Sequence, residues 1–197
     1  MACVYRMSRP PLPDDADIRL RRLGAFERSL ATLPWFAAAG SPLDTSERKD
    51  VAAYLTSLGI TFQTIQETPK WSDARDTVNR KDFSPQWWKN EEKFRQGLTQ
   101  QASAVLGEDM LHTRLTRISQ NASDLLQGTA SVALSRSDIA DAGLAKSAAG
   151  AASMAVHQAA LALAANCSGE HPFAAKFRLY QSGHWPLGLY DGVFHIL

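Results

Sequence analysis

The run SPQWWKNEEKFRQGL, residues 84–98, gathers more chemically capable side chains than any other stretch of the sequence. Trp87, Glu91 and Phe94 fall on one helical stripe, Trp88 points about 100° away from Trp87, and Arg95 follows Glu91 by four residues. A carboxylate held against indole loses hydration, which raises its pKa and is the usual route to a general acid. The plainer expectation is an exposed Glu91–Arg95 ion pair worth a few tenths of a kcal/mol, with the tryptophans as core anchors. If Glu91 does chemistry it needs a second titrating group, for which His157 or His184 is available. A pocket between helices, lined by Trp87, Trp88 and Trp185, would then hold a small-molecule ligand or substrate.

His157 stands with Met154 and Leu161 on one face of an alanine-rich helix, where a single His more often serves as a hydrogen-bonded core residue than as a catalyst. Metal ligation has little to build on. Glu108 and Asp109 precede His112 by four and three residues, but a helical di-metal site needs Glu-x-x-His pairs on two helices and two further Glu. The chain carries no HExxH, EF-hand loop or paired CxxC, so no metal is expected. It also has no GxSxG elbow, GxGxxG fingerprint or Walker loop, so no cofactor is expected either.

Two patterns bear on nucleic acid. Arg178 and His184, with five residues between them, resemble the Arg–His motif of the helical HEPN ribonucleases. That resemblance implies an RNA-binding or RNA-cleaving domain in which both side chains point into a shared basic cleft. Leu179 departs from the polar residue usual there, and Gly183 ends the helix before His184. RLRRLGAFER (residues 19–28) holds four arginines, but Asp17 and Glu27 bracket it and no aromatic stacking series follows. A solvated helix face is the expectation.

The elements that must position these groups read as about seven helices. Leu23, Phe26, Leu30 and Leu33 mark one face of the first, which Pro34 bends or ends. Asp44, Thr45 or Ser46 caps the second, whose stripe is Val51, Leu55 and Leu58 before Gly59. Thr68-Pro69, Ser84-Pro85 and His171-Pro172 each resemble a helix N-cap followed by proline, with His the poorest cap of the three. After Ser84, Trp87, Phe94, Leu98, Ala102 and Val105 share a face. After Gly107 come Leu111, Leu115, Ile118, Ala122 and Leu125. A long alanine-rich helix runs from Ser137 or Asp138 to about Asn166, and a short last one turns Phe173, Phe177 and Tyr180 inward.

The chain closes on PLGLY-DG-VFHIL, a β-hairpin with Asp191-Gly192 at the two turn positions. Two strands alone are marginal in water, so the hairpin must pack on helices, pair with the β-branched stretch Ile60–Gln66, or pair with another chain. The fold class is thus mainly α: an extended leader over 1–13, then one helical domain over 14–197 ending in a hairpin over 184–197. A third short strand near 60–66 would complete a small sheet.

Composition narrows the function classes. The 197 residues carry a net charge of +1, which gives no general attraction for nucleic acid or an anionic membrane. Residues 1–100 hold 28 charged side chains against 13 in residues 101–197, so the second half is either the inside of the fold or a surface that another subunit covers. The run Gly143–Ala165 has eleven alanines in 23 residues, with His157 and Gln158 near its middle, too weak an apolar excess for a membrane span. Cys3 and Cys167 form no ligand spacing, and no apolar export signal opens the chain, so a reducing cytoplasm is the expected compartment. With no catalytic motif and a small-residue, charge-poor second half, the expectation is a non-catalytic protein-binding module. It would be regulatory, accessory or immunity-type, and able to self-associate. The Glu91 pocket and the RNA domain are the alternatives.

Overall fold

In the computed structural model, which describes residues 13–167, 169 and 171–197, the chain is mainly α-helical. The leader expected over 1–13 lies outside the described residues apart from Pro13, which opens the first helix. The helices are α1 (Pro13–Ser29), α2 (Thr45–Ser57), α3 (Trp71–Val78), α4 (Pro85–Leu106), α5 (Glu108–Arg136), α6 (Ala142–Ala164) and α7 (Pro172–Gln181). Three strands accompany them: β1 (Thr64–Glu67), β2 (Pro186–Tyr190) and β3 (Val193–Ile196).

The charge-poor half is the inside. α6 packs against α1, α4, α5 and α7, and its alanines let those neighbours come close. Ala148, Ala152, Ala155, Ala160 and Ala164 are fully buried. α5 lays Leu111, Leu115, Ile118, Ala122, Leu126 and Leu134 along it. Leu126 is the fully buried member of the α5 stripe after Ala122, while Leu125 is half-buried and packs against the same core. α6 starts later than the sequence suggests. Asp138 takes a left-handed backbone (φ 56°) that no helix can contain, and Asp141 becomes the cap, accepting from Leu144 N–H at 2.9 Å.

The other helix ends follow their chemistry. α2 opens on a capping box in which Asp44 accepts from Glu47 N–H at 2.8 Å while Glu47 accepts from Asp44 N–H at 2.7 Å. Ser84 caps α4 ahead of Pro85. His171 also caps, its Nδ1 accepting from Phe173 N–H at 3.1 Å, which needs a neutral ring. Thr68-Pro69 does not cap α3. Thr68 N–H donates instead to Ile196 O at 2.7 Å, extending the sheet, and α3 begins at Trp71 with no side-chain cap.

The hairpin finds its mate within the chain. β3 pairs antiparallel with β2 and parallel with β1, in the order β1-β3-β2. Asp191 (φ 47°) and Gly192 (φ 75°) supply the two positive φ angles of the turn. β1 begins four residues after Ile60, because Ile60 N–H first closes α2 on Leu55 O at 3.0 Å. Under the sheet a second apolar cluster forms from Val51, Leu55 and Leu58 of α2, Leu179 of α7, and Leu189 and Phe194 of the hairpin. The helical core around α6 and this smaller cluster meet where α2, α4, α6 and α7 converge.

Candidate functional site

Glu91 lies at that convergence. Its carboxylate is reached by three donors from three other helices. Lys176 Nζ of α7 donates to Oε1 at 2.7 Å, Tyr54 OH of α2 donates to the same oxygen, and Gln158 Nε2 of α6 donates to Oε2 at 3.0 Å. A second ring of bonds holds the donors. Trp87 Nε1 donates to Tyr54 OH at 2.6 Å, and Lys176 donates to Gln158 Oε1 at 3.1 Å. The Lys176 ammonium also stands 5.7 Å from the ring centres of both Tyr54 and Trp87.

Each member is placed by its element. Trp87 and Glu91 are one helical turn apart on α4, so they face the same way. Trp87 approaches the hairpin at Gly188. A Cβ there would come within 3.1 Å of the Tyr190 ring and 3.3 Å of the indole, on a backbone (φ 138°) that L side chains rarely adopt. Lys176 reaches inward from α7 with its side chain only 8% exposed.

The electrostatics run against the general-acid expectation. Burial is the largest influence on Glu91 and pushes its pKa up. The charge of Lys176, and hydrogen bonds from Lys176, Tyr54 and Gln158, together outweigh it and hold the carboxyl below its ordinary 4.5. The expected Glu91–Arg95 pair does not form: Arg95 takes Glu92, and Glu91 takes Lys176. Tyr54 is pushed far up, mainly by burial and then by the Glu91 charge, so its hydroxyl stays protonated and donates.

The three tryptophans do not share a pocket. Trp87 is half-buried within the Glu91 network, and Trp88 is 60% exposed. Trp185, just before β2, is fully buried edge-on to Phe36 and tilted against Trp71, and its Nε1 has no hydrogen-bond partner among the described residues. A cleft of about 90 Å³ between α4 and α6 does reach Glu91 and Gln158 from outside, with Trp88, Met154, Glu92 and Arg95 around it. Met154 is 45% exposed.

The candidate histidines go elsewhere. His157 Nδ1 lies 3.2 Å from Ser119 Oγ of α5, and burial, then the Arg95 charge, lowers its pKa. His184 is fully buried with Nε2 3.3 Å from Glu47. Arg178 binds Asp50 through Nε at 2.8 Å and Gly169 O through Nη1 at 2.7 Å. Arg178 and His184 thus each face an acid of α2, which is not the shared basic cleft that the ribonuclease resemblance implies. The arginine run of α1 is only partly a solvated face, since Arg19 is buried on Asp15 and Ala164 O. Among the described residues no group of three His, Cys, Asp or Glu is placed to hold a metal ion, and no helix is long and apolar enough to cross a membrane.

Tyr54, Gln158 and Lys176 are the members that reading for catalytic motifs passes over. Two of them carried a signal: Tyr54 sits three residues after Val51 on the α2 stripe, and Lys176 interrupts an otherwise apolar inward face. Gln158 had none beyond being polar inside an alanine helix. Compared with family models, with curated proteins and with solved structures, the chain matches none.

Proposed function

We propose that the protein is a non-catalytic protein-binding module that self-associates through the α4/α6 cleft, with Trp88 as its anchor. The observation behind this reading is the division at Glu91. On the inner side both carboxylate oxygens are engaged by protein donors. On the outer side an indole and a thioether stand exposed at the lip of a shallow cleft. Tryptophan, methionine and arginine are among the side chains that concentrate where proteins meet, and tryptophan is enriched among the anchors that carry the binding energy. The space of about 90 Å³ is far below the roughly 300–1,000 Å³ of small-molecule pockets.

A second copy suits the lip because the lip carries both signs of charge. Glu92 and Arg95 flank the cleft, paired with each other within one chain, so a two-fold axis would let the two copies share that pair across the seam.

Sedimentation velocity over a concentration series tests the reading. Wild type should show a monomer–dimer equilibrium, and Trp88→Ala should weaken it by roughly 30-fold or more, the effect of losing a central anchor. A wild-type protein that stays monomeric up to its solubility limit, or a dimer indifferent to Trp88→Ala, would remove it.

A further inference from the structure

α1 and α5 both lean on α6 and pack little on one another, which leaves a valley of about 430 Å³ between them. Its apolar lining is Leu30, Ala31, Ala122 and Leu125. It runs from Gly24 to Ala31 on one wall and from Arg117 to Leu125 on the other, roughly 10–12 Å at the helical rise. That volume falls within the range of small-molecule sites, unlike the cleft beside Trp88.

The charges around the valley are unequal. Glu27 is the one acid in its lining and is already engaged from across the valley. Arg117 grips both its oxygens at 3.1 and 2.5 Å, and Asn121 Nδ2 donates to one at 2.7 Å. Arg28 lines the valley without a carboxylate partner among the described residues. Its guanidinium folds back along α1, one nitrogen lying 3.6 Å from where a Cβ on Gly24 would stand. Arg114 adds a third positive charge close enough to act on Glu27. The lining thus holds two guanidinium groups, of which Arg117 is taken by Glu27 and Arg28 is left over, so the apolar trough calls for an apolar body with an anionic end.

We infer that the α1/α5 valley binds a medium-chain aliphatic carboxylate, its tail along Leu30, Ala122 and Leu125 and its carboxylate on Arg28. The site is separate from the α4/α6 lip and does not depend on self-association. Arg28 supplies the planar fork that suits a carboxylate, and Gly24 leaves the room in which that fork and the chain end lie.

Isothermal titration calorimetry with octanoate and octanol on the full-length protein tests this. Octanoate should bind saturably at one site per chain, and octanol at least about tenfold more weakly, as expected for loss of a charge-assisted contact. Gly24→Leu should abolish octanoate binding by filling the valley. Gly24 has an ordinary helical backbone and only Arg28 within 4 Å of the added Cβ, so this variant should fold. Arg28→Gln should weaken octanoate about tenfold and leave octanol unchanged. Absence of saturable octanoate binding, or full binding by both variants, would overturn the site. Equal affinity for octanol would overturn the assignment of a carboxylate ligand.

Discussion

Trp87 and Trp88 are neighbours in the chain and opposites in the structure. The indole N–H of Trp87 is spent on Tyr54, in a network that ends at a buried ion pair. Trp88, one residue on, is 60% exposed and joins no such network among the described residues. One α-helix thus carries a charge-locked inner face and an adhesive outer face about 100° apart. The contrast teaches that a chemically suggestive cluster can divide into two roles once a helix turns it. Glu91, the residue with the most obvious chemical promise, belongs to the inner role.

The largest way to break the contrast is to remove half of the buried pair. Lys176→Met leaves Glu91 ionised without its cation and should cost about 3–5 kcal/mol, read from urea denaturation. Adding Glu91→Leu to it should recover most of that loss, because an apolar pair no longer has a stranded charge. A Lys176→Met variant as stable as wild type would mean that the inner face is not held by charge at all.

Tyr54→Phe is the next step down. It deletes a hydroxyl that donates to Glu91 and accepts from Trp87, and should cost about 1–3 kcal/mol. The matching change outside, Trp88→Ala, should alter stability by no more than about 0.5 kcal/mol while weakening self-association. Similar stability losses for the two would erase the difference between the faces.

Acid separates the inner groups by pH. Burial depresses His171 from 6.5 to about 4. The folded ring therefore stays neutral where the unfolded chain takes up a proton, so this contribution is full above pH 6.5 and is lost as pH falls toward about 4. Glu91, held below 4.5, contributes fully above that value, and its share is lost as pH falls through the lower folded value. Urea midpoints measured against pH should therefore decline in two stages. His171→Asn, which keeps a side-chain cap, should shrink the upper stage to the share that His157 and His195 contribute, and Glu91→Gln should shrink the lower to the share of the other paired carboxylates such as Glu27.

Much of the fold was legible because periodicity and punctuation agreed. The stripes of α1, α2 and α5, the Ser84 cap and the Asp191-Gly192 turn each follow from local chemistry. What escaped depended on distant partners. Thr68-Pro69 has the signature of a cap, yet Ile196, more than a hundred residues away, claims the Thr68 N–H. The start of α6 moved because Asp138 adopts a left-handed conformation that its residue type permits but does not require. The site was legible in two residues of five, Trp87 and Glu91. Spacing along α4 marked Glu91, whereas Tyr54, Gln158 and Lys176 come from three other helices, and only the tertiary fold fixes which cation a carboxylate meets. Arg95, the local candidate, lost Glu91 to Lys176 for that reason.

The most direct measurement is the titration of the Glu91 side-chain carboxyl by carbon-detected NMR, in wild type and in Lys176→Met. A closed structural network predicts a midpoint below 4.5 in wild type and a rise when the ammonium is removed. A wild-type midpoint near 6 to 7, roughly where general acids are poised, would contradict the structural role and return Glu91 to the list of catalytic candidates.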